Sequence, residues 1–359
     1  MRPLDVARAA VLLTVLIAGV QTSAEQTAQA PVPDSVGAVA RKSADPQPNL
    51  TELRKMIDRG RAADVLEQLN TLAAQSSPAG VQRMRGEALY TLNRFAEADT
   101  AFAAALKQNP RDEEATQMRG LALFRLGRPA EAIPLLEAAH NWTPDTKTDP
   151  SYVLALCYID ARRYDDARRA FASQYGFPPD SASAYLLAAR MLLRREYVPV
   201  AKEFAQKAVA LDPSLPLAHT LLGEIALAGE HVDEAIAEFE KERARNPLEA
   251  SSYDRLGDAY TRAGDYVRAQ QALQQALLLE PNSTGPYILL GKVLLKRQDA
   301  VNAAMYLERA EKMDPGNAMT HNLLGQAYRM LGRSDEASRQ NEQAQRLQSA
   351  NQPHLENVK

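Results

Sequence analysis

Proline recurs along this chain at Pro110, Pro144, Pro179, Pro213, Pro247, Pro281 and Pro315, in steps of 34 residues with one step of 35. A period of this length, held over most of 359 residues, restricts the chain to an array in which each repeat is one small supersecondary unit stacked on its neighbours. Each proline closes an apolar stretch, as in Ala276-Leu277-Leu278-Leu279-Glu280-Pro281. Proline cannot continue a helix, so each one ends the second helix of a unit and opens the next.

Other positions keep the same register. Gly86, Gly120, Gly223, Gly257, Gly291 and Gly325 recur, with Ala155 and Ala189 at that place in two units. Twelve residues later comes a second small residue: Ala98, Ala132, Ala167, Ala201, Ala235, Ala269, Ala303 and Ala337. Small residues at two fixed points predict two antiparallel helices crossing closely there, where a larger side chain would wedge them apart. A phosphate-binding loop does not explain these glycines, because they lie within helical stretches and repeat in every unit.

The pattern resembles the tetratricopeptide repeat. It is clearest in residues 250–283, through Tyr253, Leu256, Gly257, Tyr260, Ala269, Leu273, Ala276 and Pro281. The resemblance covers residues 79–112, 113–146, 148–181, 182–215, 216–249, 250–283, 284–317 and 318–351, eight units. A degenerate helix pair near Thr51 to Gln75 extends the solenoid to residues 50–351, followed by a tail at 352–359. The resemblance implies an all-α, right-handed α-solenoid of stacked antiparallel helix pairs, with first helices on the concave side and second helices on the convex side. The third and fourth units depart from the pattern through Ala155, Ala189 and Ala205, so irregular curvature is expected there. The last unit has Asn341 at the usual aromatic position, then Gln343, Gln345 and Gln348, which suits a capping helix that faces water.

Composition agrees with many thin helix contacts: 45% of residues are hydrophobic but only 6% aromatic. The charge balance, 42 Lys+Arg against 45 Asp+Glu, gives no footprint for nucleic acid. Arg2 and Arg8 precede an apolar run from Ala9 to Val20, followed by small residues up to Ala24. Residues 1–24 thus read as a signal peptide, and residues 25–49, with Pro31, Pro33, Pro46 and Pro48, as a disordered linker. The rival reading is an uncleaved anchor, for which the run falls short of the ~20 residues that a spanning helix needs. Cleavage leaves an exported chain, periplasmic or secreted, with no stable membrane insertion. The single cysteine, Cys157, permits no internal disulfide and reads as a small buried hydrophobe.

The repeats leave no room for a catalytic domain. His140, His219, His231, His321 and His354 form no zinc motif. His219 and His321 occupy equivalent places and read as packing residues. No catalytic, cofactor or metal-binding set stands out, and no cofactor is expected. What remains is the first-helix face, three residues before and one, four and five after each small residue. There the candidate partner-binding residues are Tyr90, Leu121, Phe124, Tyr152, Leu156, Arg190, Arg194, Asp258, Lys292, Asn322 and Arg329. The early part is apolar and aromatic, the later part polar and mixed in charge. Relatives that hold a terminal carboxylate use a clamp of Lys, Asn and Arg, of which Lys292, Asn322 and Arg329 supply a fragment. The expected function is a non-catalytic adaptor that binds a protein or peptide in the concave groove. The alternative is an accessory subunit of a secretion or polysaccharide-export assembly, bound through its ends or convex face. Export predicts a mature chain beginning near Glu25; intact mass spectrometry checks this, and full-length chain in the membrane fraction would favour the anchor.

Overall fold

The computed structural model describes residues 49–73, 80–140 and 150–350. The expected signal peptide, all but the last residue of the linker, and the tail lie outside the described residues. Among the described residues there are eighteen α-helices and no strand, arranged as nine successive pairs. The first pair is α1 (Leu50–Asp58) and α2 (Ala62–Ala73). Next come α3 (Val81–Thr91) with α4 (Phe95–Gln108), α5 (Glu113–Arg125) with α6 (Pro129–His140), and α7 (Ser151–Asp160) with α8 (Tyr164–Tyr175). Then follow α9 (Ala182–Arg194) with α10 (Val198–Leu211), α11 (Ala218–Ala228) with α12 (Val232–Arg245), and α13 (Ala250–Ala263) with α14 (Tyr266–Leu279). The last two pairs are α15 (Thr284–Lys296) with α16 (Ala300–Met313) and α17 (Ala318–Met330) with α18 (Ser334–Ala350). The architecture is an all-α solenoid.

The turn inside each pair is built the same way. One residue, seven after the small residue, takes the left-handed conformation: Asn93, Gly127, Arg162, Glu196, Glu230, Gly264, Gln298 and Gly332, with φ between 59° and 79°. The next amide then donates back across the turn to the first helix, as from Arg94 to the Leu89 carbonyl at 2.9 Å and from Asp265 to Tyr260 at 2.9 Å. This closure satisfies a helix-end carbonyl. Its geometry requires a positive φ whichever residue occupies the place, and Arg162, Glu196 and Glu230 bear a steric cost that glycine avoids.

The crossing between paired helices explains the small residues. A Cβ built on Gly86 would stand 2.5 Å from the Phe102 ring, and one on Gly223 would stand 2.3 Å from Phe239. The same holds at Gly120 against Leu136, Gly257 against Leu273 and Gly291 against Leu307. In every case the bulky partner lies sixteen residues on and presses into the space the glycine leaves. The fifth pair, α9 with α10, solves the problem from the other side, with buried Ala189 facing the register of buried Ala205. Phe204, one residue earlier, supplies the aromatic bulk and packs edge-on against Tyr185 at 5.5 Å.

Each second helix also packs on the first helix of the next pair. Tyrosines tie these steps: Tyr158 donates to Glu137 at 2.7 Å, Tyr260 to Glu240 at 2.7 Å and Tyr328 to Glu308 at 3.0 Å. An arginine covers each ring, Arg163, Arg268 and Arg333 in turn. The buried residues form three successive clusters, whose largest fully buried side chains are Phe102, Phe171 and Phe239.

Successive first helices also touch one another directly: α1 with α3, α3 with α5, α5 with α7, α9 with α11, α13 with α15 and α15 with α17. Successive second helices make no comparable contact. A stack bends toward the side where its members crowd, so the first helices line the inner face. The crossings predict that Gly257→Leu overpacks the contact with Leu273 and costs about 1 to 3 kcal/mol or more. Thermal melting should fall, and an unchanged melting temperature would refute the register.

Candidate functional site

The inner face is built from the exposed sides of the first helices, and its N-terminal end is ionic. Arg54 reaches from α1 to Glu87 on α3 at 3.2 Å and also pairs with Glu114 on α5. Arg83 binds Asp112, the N-cap of α5, at 3.1 Å, and lies 3.6 Å from Glu87 and 3.5 Å from Glu114. Burial pushes the Glu87 carboxyl up to about 7, and repulsion from Glu114 adds to it, although Arg54 and Arg83 oppose the shift. The face pattern of the sequence picks out Arg83 and Glu87. It misses Arg54, because the first helix pair is too degenerate for its register to be read.

Beyond this cluster the face turns apolar. Tyr90 is half-buried and meets Phe95 edge-on at 5.3 Å. Leu121 is only 7% exposed and belongs to the core, so it drops out of the candidate surface. Its side chain packs into the same buried cluster as Leu123, Ile133 and Leu154. Phe124 is half-buried against the same core, with the Arg195 guanidinium 6.0 Å from its ring centre. Arg195 also holds Asp160 at 2.9 Å, so residues from three successive pairs converge here. Arg195 escapes the sequence pattern because it stands one place past the last position of the face.

Tyr152 on α7 is 37% exposed, yet it is not loose. Its ring packs edge-on against Phe171 at 5.7 Å, and its hydroxyl points at the Met191 sulfur at 3.9 Å. Leu156, one turn on, is half-buried against the core. On α9, Arg190 is half-buried and Arg194 exposed. Asp258 on α13 pairs with Arg262 at 3.0 Å. Lys292 and Arg329 are exposed and Asn322 is half-buried, and among the described residues no hydrogen bond or ion pair joins these three.

His219 and His321 are buried. Nδ1 of His219 lies 2.6 Å from Glu238, and Nδ1 of His321 lies 2.5 Å from Gln340, so both rings tie the two helices of their own pair. Burial holds the Cys157 thiol up at about 12, far from reactive thiolate. Among the described residues no group of His, Cys, Asp and Glu is placed to hold a metal ion, and no helix is long and apolar enough to cross a membrane.

Known proteins share the repeat. Tetratricopeptide-repeat profiles match residues 83–145 and 123–191, and the profile of the middle TPR-like domain of cilia and flagella-associated protein 70 matches residues 237–348. The chain is 29% identical over 94 residues to the chloroplastic tetratricopeptide repeat domain-containing protein PYG7 of Arabidopsis thaliana, covering 25% of this chain and 31% of that relative. The chain thus spans about a third of the relative's length. Among solved structures it is similar to MamA from Desulfovibrio magneticus RS-1, at 18% identity and a TM-score of 0.46, covering 48% of this chain and 98% of that one. It is also similar to YrrB, described as a TPR protein with an unusual peptide-binding site, at 23% identity and a TM-score of 0.44, covering 51% and 95% of the two chains.

The Glu87 carboxyl gives the cluster a pH dependence. A carboxyl raised from 4.5 to about 7 binds a proton in the folded state that the unfolded chain has released. Its contribution to stability is therefore full below about 4.5 and is lost as pH rises through about 7. Melting of the N-terminal pairs, followed by hydrogen exchange at α3, should weaken between these limits. Glu87→Gln should flatten that slope; a slope equal to wild type would show that Glu87 is not its source.

Proposed function

We propose that this chain of tetratricopeptide repeats is a non-catalytic scaffold that holds an extended segment of a partner protein along its inner, first-helix face. The observation that carries the reading is Tyr152: a large aromatic ring exposed on the inner side, yet held in place by Phe171 and Met191. A ring that is already ordered loses little freedom when a partner covers it, which makes it an efficient anchor. Half-buried Phe124 and Leu156 extend the apolar surface on either side of it. The basic start, the apolar run and the small residues of 1–24 support export of this scaffold to the periplasm or outside the cell.

The second reading, an accessory subunit of a secretion or polysaccharide-export assembly, rests on the outer face. Val267 and Leu278 on α14 and Val301 and Met305 on α16 are 55%, 75%, 66% and 53% exposed. Beside them an open cleft of about 700 Å³ lies between α12 and α14, lined by Ile236, Tyr253, Tyr260 and Gln271. One experiment separates the two faces. Displayed random peptides are selected on the purified chain and their affinities measured against Tyr152→Ala and Val301→Glu. Inner-face binding predicts that Tyr152→Ala weakens the selected peptides by about 2 kcal/mol or more with little change in melting, while Val301→Glu leaves them unaffected. The reverse pattern would move the function to the outer face.

A further inference from the structure

The inner face carries an ordered pattern of charge that its packing does not require. Most acidic groups on this face are already neutralised by the chain itself. Asp160 is held by Arg195, Glu224 by Arg255 at 2.8 Å, and Asp258 by Arg262 at 3.0 Å. Six cations at face positions have no carboxylate partner among the described residues, Arg125, Arg190, Arg194, Lys292, Lys296 and Arg329, and four of them stand in couples, each couple on one helix. Arg190 and Arg194 stand one turn apart on α9, and Lys292 and Lys296 stand one turn apart on α15. None of the four has a hydrogen-bond or ion-pair partner among the described residues. Like charges at this spacing on one helix repel each other, so each pair slightly opposes the helix that carries it.

The two pairs occupy identical register, one and five residues past the small residue of their units, and they are 102 residues apart. They form two cationic ridges across one face, separated by α11 and α13. That intervening stretch carries Glu224, Asp254 and Asp258, so its free charge is not basic. Burial, with repulsion from Asp258 and Glu280, raises the Asp254 carboxyl above its ordinary value. Directly packed helices lie about 8 to 10 Å apart, and α11 makes no such contact with α13, so the three steps put the ridges at least roughly 24 to 30 Å apart. An extended chain at about 3.3 Å per residue covers this distance in about eight residues.

We infer that the segment held on the inner face bears two acidic groups about eight residues apart, with no acidic residue between them, one seated on Arg190 and Arg194 and the other on Lys292 and Lys296. This rests on the inner-face reading and deepens it. The middle of the face disfavours a nucleic acid strand, whose phosphates repeat at every step, because its arginines are already paired with Glu224 and Asp258 and leave no free cation between the ridges among the described residues. An acidic peptide can place its charges only where the ridges stand, and there its carboxylates gain charged hydrogen-bond partners.

The test measures fluorescence anisotropy with a labelled synthetic peptide of about sixteen residues, carrying two Glu-Glu pairs separated by about eight residues of Asn, Gly and Leu. At low ionic strength it should bind at least about tenfold tighter than a control whose pairs stand about three residues apart. Arg190→Glu with Arg194→Glu, and separately Lys292→Glu with Lys296→Glu, should each abolish that advantage. A peptide with Lys-Lys in place of one Glu-Glu pair should recover binding to the matching reversed variant, which also shows that the variant is folded. If a reversed variant melts early, Arg190→Gln with Lys292→Gln carries the same expectation of lost spacing preference. Equal binding of both spacings, unchanged binding by the variants, or tighter binding of labelled oligothymidylate would each overturn the inference. If spacing has no effect while Tyr152→Ala still weakens peptides selected on this face, the charge pattern is refuted and the inner-face reading stands. If Tyr152→Ala is also without effect, both are refuted.

Discussion

Everything in this solenoid depends on how closely the two helices of each pair can cross. The separation is set by one small residue on the first helix and one bulky residue sixteen places later, and the glycine hydrogens leave room for the ring of Phe102 or Phe239 or the branches of Leu273 and Leu307. Packing at this distance buries side chains without a thick core, which is how a chain with so few aromatics forms a continuous interior. Because the same crossing recurs in most of the pairs, successive units present similar edges to one another. The tyrosine-to-glutamate ties between pairs then fall at equivalent places.

Repetition of the crossing also decides what the surface can do. First helices crowd on the inner side, so the positions they turn outward lie in rows that run from one pair to the next. Near the N-terminus Leu121 belongs to the core and Glu87 is buried among its ion partners. Farther along, the same positions open to solvent at Lys292 and Lys296. A face that changes from buried ion cluster to aromatic patch to exposed cations offers a long segment different contacts along its length.

The ion pairs divide by purpose in the same way. Pairs such as Arg94 with Glu97 and Arg128 with Glu131 sit exposed at the starts of second helices and contribute little. Arg195 with Asp160 and Phe124, by contrast, joins three pairs of the stack. Cations left without such partners, in the middle of a face otherwise neutralised, are the feature that packing does not explain.

The repeat, its period, the pairing of helices and the two small crossing residues were legible in the sequence alone, because a solenoid repeats its physics with its residues. So was the reading of His219 and His321 as packing groups, both buried between the helices of their own pairs. Neighbouring pairs decided the rest. Leu121 and Lys292 stand at the same register, one residue past the small residue, yet one joins the core and the other is exposed. Arg54 became part of an ion cluster only when α1, whose repeat signature has decayed, packed against α3. The left-handed turn at Arg162 or Glu196 leaves no mark in residue type, because the closing hydrogen bond, not the side chain, imposes it. Periodicity determined the fold; the local approach of one helix to the next determined which residues of that fold a partner can touch.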